Sequence, residues 1–196
     1  MSFSLKFIIV RHPFERIVSA FRDKLENINI GREHGTLHFY EKYGKKIVKK
    51  YRQPGQEMHK YSQDMDNPKL PPPEGIEPTF EEFIKYLIDT DLVLYSDDHW
   101  MPYYLHCTPC HIDFDVIAKF ETLQRDQNYI IQKRKLQDRI QPSWKHLTKG
   151  METSRMVQKY FSTINKDDLY KLYNKYRLDF ELFDYNIDEY LKYVRS

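Results

Sequence analysis

An α/β fold with a parallel sheet flanked by helices is what the sequence predicts, and three observations carry it. Leu5 to Val10 is a short continuous apolar run, the pattern of a parallel strand buried on both faces. Asp113 to Phe120 is a second strand-like stretch, with Ile112, Phe114, Val116, Ile117 and Phe120 as its apolar residues. Between and beyond the two lie segments with apolar residues at helical spacing, and strands separated by helices make a parallel sheet.

The elements follow in order. After the first strand, Pro13 stands where a first helical residue is well tolerated, and Phe14, Ile17, Val18, Phe21 and Leu25 recur at helical intervals. The unit reads as strand, tight turn, helix. Thr36 to Arg52 reads as a helix carrying a crowded basic run of Lys42, Lys45, Lys46, Lys49, Lys50 and Arg52. Gln53 to Pro78 is polar and turn-rich, a surface excursion extended near its prolines. Thr79 opens the next helix with a capping box, Glu82 lying three residues on, and Phe80, Phe83, Ile84 and Leu87 form its apolar face. Glu121 to Arg134 reads as helical. Two more amphipathic helices follow, the stronger spanning Asp167 to Phe183. There is no internal repeat.

With 196 residues the chain reads as a single domain, residues 1–196, that includes the excursion around 53–78. Hydrophobic residues at 40% and charged residues at 31% suit a folded domain rather than a disordered chain. A net charge of +2 argues against a nucleic-acid-binding module. The basic run is a solvated helix face or a surface for a polyanion such as a glycosaminoglycan. No segment reaches the roughly 18 consecutive apolar residues of a membrane span. The two cysteines, Cys107 and Cys110, read as a local disulfide or structural thiols ahead of redox catalysis or a metal site.

The chemistry concentrates in the stretch from Arg11 to Lys24. Arg11 stands at the carboxyl end of the first strand, the edge where open α/β sheets bind ligands. The helix that starts just after it brings its positive dipole end to the same place. Ser19, about two turns into that helix, can turn its hydroxyl to the same side. A guanidinium fork with a hydroxyl suits a phosphate dianion. No Gly-x-x-x-x-Gly-Lys-[Ser/Thr] sequence is present, which excludes the P-loop of a nucleoside triphosphatase. On Arg11 and Ser19 alone, ordinary surface residues are the simpler reading.

The full pattern, Arg-x-Pro-x-x-Arg-x-x-Ser-x-Phe-x-x-Lys after an apolar strand, resembles the 3′-phosphate-binding motif of sulfotransferases. It is most similar to the Golgi carbohydrate sulfotransferases that include the HNK-1, GalNAc-4-O, chondroitin 4-O and dermatan 4-O enzymes. Tyr43-Gly44-Lys45-Lys46-Ile47-Val48-Lys49-Lys50 resembles a stretch of the chondroitin 4-O branch. Thr79-Phe80-Glu81-Glu82-Phe83, His99-Trp100-x-Pro, Cys107-x-Pro-Cys110-x-Ile-x-Phe-Asp, Lys119-Phe120-Glu121-Thr122-Leu123 and Leu178-Asp179-Phe180-Glu181-Leu182-Phe183-x-Tyr185 follow the family's order.

The resemblance implies a sulfotransferase fold related to nucleotide kinases, a Golgi setting, and membrane-anchored full-length relatives. It implies PAPS as sulfuryl donor, PAP as product, and Arg11 and Ser19 as contacts of the donor's 3′-phosphate. The acceptor would be a sugar hydroxyl of an acidic glycan, with chondroitin or dermatan favoured. Family members also carry an upstream lysine-bearing loop for the 5′-phosphosulfate, and this chain begins after it. The sheet is therefore expected to be incomplete at its N-terminal side, and the chain alone to bind the donor weakly and transfer sulfate poorly. The alternative is a non-catalytic nucleotide- or polyanion-binding remnant. Candidates for the base that takes the acceptor proton are His99, Glu121 and His12. Structural roles rank ahead of catalysis for all three, and His99 is the leading catalyst.

Overall fold

The computed structural model describes residues 4–26, 36–53, 77–141 and 150–195. Most of the predicted excursion lies outside the described residues. The architecture is a small parallel sheet packed among helices. Strand β1 (Phe7–Val10) pairs in parallel with β2 (Val116–Lys119), with Phe7 opposite Val116 and Val10 opposite Lys119. Both strands are shorter than their apolar runs suggest. Just before them, Asp115 closes the open end by accepting the Lys6 backbone N–H at 2.8 Å.

The expectation that the first strand is buried on both faces is corrected. Ile8 and Val10 are buried with Phe183 in a small cluster, but Phe7 and Ile9 on the other face are exposed, as is Ile117 of β2. A strand needs cover on each side to hide both rows of side chains. Among the described residues the sheet has two strands, and its cover is partial.

Helix α1 (Pro13–Lys24) follows β1 directly. Pro13 takes the first helical position, where its missing N–H costs nothing. The helix buries Phe14, Ile17, Val18 and Phe21. The predicted helix over 36–52 is present in three parts: a short α2 (Thr36–Phe39), a widened π-helical turn (Tyr40–Gly44) and α3 (Lys45–Tyr51). Apolar spacing alone does not reveal such a turn.

Helix α4 (Phe80–Asp89) starts with the predicted capping box. Thr79 Oγ1 accepts the Glu82 N–H at 3.2 Å, and Glu82 Oε2 accepts the Thr79 N–H at 2.8 Å. A single turn, α5 (Tyr103–His106), precedes β2. After β2 come a 3₁₀ turn (Phe120–Thr122), α6 (Leu123–Lys133), α7 (Gly150–Phe161), α8 (Lys166–Leu182) and a final 3₁₀ turn (Tyr190–Lys192).

The main core lies among the helices rather than on the sheet. Phe14, Ile17 and Phe21 of α1 meet Phe80 and Phe83 of α4, Phe161 of α7, and Leu172, Tyr176 and Phe180 of α8. Trp100 is fully buried among them, edge-on to Tyr43 and Phe83 at 4.9 and 5.4 Å between ring centres. Rings at these separations and angles pack favourably. This accounts for much of the 15% aromatic content.

Candidate functional site

The carboxyl ends of β1 and β2 lie side by side, so the residues that follow each strand meet. Arg11 lies with its guanidinium over the Phe120 ring at 4.6 Å, a cation–π contact. The His12 N–H donates to Glu121 Oε1 at 2.7 Å. Arg11 therefore stands where the sequence places it, at the ligand-binding edge of a parallel sheet and at the start of a helix. Its Nε–H donates to Glu15 Oε2 at 3.3 Å. Ser19 is half-buried on α1, four residues beyond Glu15. Glu15 and Ser19, four apart, share a face of α1, and its contact with Glu15 brings Arg11, just ahead of the helix, into one stripe with them. Burial pushes the Glu15 carboxyl above its ordinary value, and Arg11 opposes this only in part. Glu15 is a partner of Arg11 that the sequence reading does not single out; its spacing from Arg11 is the available signal.

His12 does not face this stripe. Its ring is buried, stacked on Tyr190 at 4.7 Å and edge-on to Phe180 at 5.2 Å. Nε2 donates to the Asn186 carbonyl at 3.0 Å, while Nδ1 accepts the Phe14 N–H at 3.2 Å and so caps α1. One nitrogen donating and the other accepting describes a neutral ring. Burial holds its pKa below the ordinary 6.5. Both ring nitrogens of His12 are thus engaged, and its role in this structure is to pack and to cap α1. Glu121 is occupied as well. Its Oε1 holds His12 and its Oε2 accepts the Tyr185 O–H at 2.9 Å. It does not cap the following helix; Asp126 turns back instead, accepting the Lys119 N–H at 2.9 Å and the Thr122 O–H at 2.8 Å.

His99 stands apart on a turn after α4. Trp100 and Met101 both donate backbone N–H groups to the Asp97 carbonyl, at 3.0 and 2.7 Å. His99 Nδ1 lies 2.6 Å from Asp97 Oδ1, and its ring meets Phe39 edge-on at 5.3 Å. The partner carboxylate is Asp97, not the adjacent Asp98. No hydrogen bond or ring contact joins His99 to Arg11 or Ser19 among the described residues. The link between the two regions is Arg16 of α1. Its guanidinium donates to the Met101 carbonyl and lies over the Tyr103 ring at 4.1 Å.

Most of the basic run is spoken for. Lys45 pairs with Glu41 at 2.5 Å, Lys50 with Asp89 at 3.1 Å and Lys42 with Asp97 at 3.6 Å. Arg52 is buried against Glu82 with two contacts, at 3.0 and 3.1 Å. Lys46 and Lys49 face solvent. The run is thus largely a set of ion pairs rather than a row of cations turned to solvent. Cys107 and Cys110 are free thiols. Cys107 packs beside the Ile8 and Val10 cluster, where burial raises its pKa, and Cys110 is exposed.

A family model described as the sulfotransferase family matches residues 2–186. The chain belongs to the sulfotransferase family. It is 34% identical over 192 residues to carbohydrate sulfotransferase 11 of Mus musculus, covering 96% of this chain and 49% of that protein. It is 35% identical over 193 residues to carbohydrate sulfotransferase 11 of Danio rerio, again covering 96% and 49%. To carbohydrate sulfotransferase 9 of Homo sapiens it is 33% identical over 183 residues, covering 92% and 37%. The chain spans about half the length, or less, of these relatives. No solved structure matches it.

Several motifs of this sulfotransferase chain prove to be its scaffold. The Trp100 carbonyl accepts the Tyr176 O–H at 2.6 Å. Asp179, fully buried, accepts the Tyr103 and Tyr104 N–H groups at 2.7 and 2.9 Å. The His99-Trp100-x-Pro and Leu178-Asp179-Phe180 segments are therefore two halves of one clamp.

Proposed function

We propose that this chain forms the part of a carbohydrate sulfotransferase that holds the 3′-phosphate end of PAPS and supplies the base for the acceptor sugar. The observation that carries the donor assignment is the stripe of Arg11, Glu15 and Ser19 at the carboxyl edge of a parallel sheet. Glu15 engages the Arg11 Nε–H, which leaves the terminal guanidinium nitrogens for a phosphate. Ser19 supplies a hydroxyl further along the same face.

In this reading the acceptor oxygen attacks the donor sulfur. The bond from sulfur to the bridging phosphate oxygen breaks, and its electron pair leaves with PAP. The hydroxyl proton passes to His99, which is half-exposed and already paired with a carboxylate on its other nitrogen. The acceptor is a sugar hydroxyl of an acidic glycan, and we favour chondroitin or dermatan on the likeness of Tyr43 to Lys50 to the chondroitin 4-O branch. We assign the reaction to the Golgi lumen on family resemblance alone.

Calorimetric titration with PAP and, separately, with 5′-AMP tests the donor site. PAP is expected to bind more tightly than 5′-AMP, with the preference lost in Arg11→Ala and reduced in Ser19→Ala. Equal affinities for both nucleotides would remove the 3′-phosphate assignment.

A further inference from the structure

Asp97 is anchored on one side and engaged on the other. Its Oδ1 lies 2.6 Å from His99 Nδ1 and also accepts the His99 backbone N–H at 3.3 Å. Its Oδ2 accepts the Tyr43 O–H at 3.1 Å, with Lys42 Nζ 3.6 Å away. The Asp97 side chain is only 12% exposed, whereas that of His99 is 43% exposed. A fixed carboxylate thus carries a projecting imidazole. Burial works to raise the Asp97 carboxyl, but the bonds from His99 and Tyr43 outweigh it and hold the group below its ordinary value. It therefore stays an acceptor. In a neutral ring, a carboxylate at Nδ1 takes the N–H and leaves the lone pair on Nε2.

The second observation is the π-helical turn Tyr40–Gly44. Such turns are rare and recur at functional sites. A Cβ on Gly44 would lie 2.5 Å from Tyr40 Cδ2, so any other residue there would force the buried Tyr40 ring to move. The turn directs both Lys42 and Tyr43 to one oxygen of Asp97. The Tyr43 ring also packs edge-on to Trp100 at 4.9 Å, next to His99 in the chain. Tyr43 thereby fixes the carboxylate and the segment that carries the histidine.

We propose that Asp97 is the positioning residue of His99, holding its ring with Nε2 outward to receive the acceptor proton, and that the π turn aims Asp97 through Tyr43 and Lys42. This assignment rests on the reading of His99 as the base. It gives the Tyr43-Gly44 pair a task that the basic run around it does not.

Nitrogen-15 NMR of the labelled chain tests the pairing without any need for activity. Neutral His99 is expected mainly in the Nδ1–H form. Asp97→Ala should shift it toward the Nε2–H form that an unrestrained imidazole prefers. Tyr43→Phe, which keeps its ring in the core, should give a partial shift, and Gly44→Ala a larger one. Affinity for PAP should stay within about two-fold in Asp97→Ala, because Asp97 is not part of the donor stripe. In a sulfate-transfer assay, Asp97→Ala should lower kcat roughly 10²-fold with little change in the acceptor KM, and Asp97→Asn less so. A wild-type Nε2–H form, or a tautomer unmoved by Asp97→Ala, overturns the pairing whatever the assay shows. The expected tautomers with kcat unaffected by His99→Ala overturn the base reading instead, and Asp97 is then no positioning residue.

Discussion

The Arg11 Nε–H points at the Glu15 carboxylate 3.3 Å away, one helical turn short of Ser19. A cation assigned to a phosphate thus already has an anion beside it, and Glu15 tempers the field that the phosphate would meet. Glu15→Gln keeps an acceptor for Arg11 but removes the charge. PAP should bind that variant roughly 3–10-fold more tightly, about 1 kcal/mol for a partly screened like charge. Because burial raises the Glu15 carboxyl, it takes up its proton above the ordinary 4.5. The advantage of the variant should therefore shrink as pH falls toward that range. Calorimetry at several pH values checks both, and a variant that binds PAP no better would place Glu15 on the side of orientation rather than repulsion.

The Arg52–Glu82 pair, which makes no contact with the donor stripe among the described residues, predicts a stability effect. Both side chains are almost fully buried, and Arg52 also donates to the Glu77 carbonyl at 2.6 Å. Removing one member strands the other charge. Arg52→Ala should cost roughly 3–5 kcal/mol, whereas Lys49→Ala on the exposed side of α3 should change stability by less than about 0.5 kcal/mol. Urea midpoints at constant m-value decide it.

His12 should make the fold sensitive to mild acid. Its folded pKa lies below the ordinary 6.5, so the unfolded chain binds the proton first as pH falls. Stability is then lost below about pH 6.5, by at most about 1.4 kcal/mol per pH unit. The raised carboxyls of Glu15 and Asp179 contribute with the opposite sign, so the informative quantity is a difference. The stability advantage of wild type over His12→Asn should narrow as pH drops from 6.5 to 5. A constant gap would mean that the ring is not held neutral.

If an acidic glycan is the acceptor, its contacts on the basic helix should come from the solvent-facing lysines. Lys46→Ala with Lys49→Ala should weaken binding of chondroitin sulfate and flatten its salt dependence. Lys45→Ala, already paired with Glu41, should do neither. Affinity measured across a salt series distinguishes the pairs, and equal effects would return the whole run to the interface.

The local signals in the sequence were read accurately where the cause is itself local. Pro13 at the helix start, the Thr79–Glu82 capping box and the apolar face of α4 act over a few residues, and each is present. Arg11 was placed at a strand end because strand and helix adjoin in the chain. What spacing could not show was partnership across the chain. Glu121 is a base candidate in the sequence, yet its carboxylate is held by His12 and Tyr185 from distant parts of the chain. Asp98 adjoins His99, yet Asp97 pairs with it, because the turn folds that carboxylate back under the ring. The π turn leaves no mark in the sequence, since its apolar spacing is that of an ordinary helix. The strand called buried on both faces is half exposed, because burial depends on neighbours that an apolar run does not name.

The clamp from α8 onto the His99 segment also sets an order of events in time. Tyr176 and Asp179 hold Trp100, Tyr103 and Tyr104 across roughly three-quarters of a hundred residues of chain. Contacts that distant in sequence form late, since the loop between them must first be closed. A ribosome delivering this chain from its N-terminus releases the histidine turn long before the helix that secures it. Until α8 has emerged and docked, the nascent chain carries the turn without its anchors, so the part of the molecule assigned to the acceptor is completed only after that helix has been made.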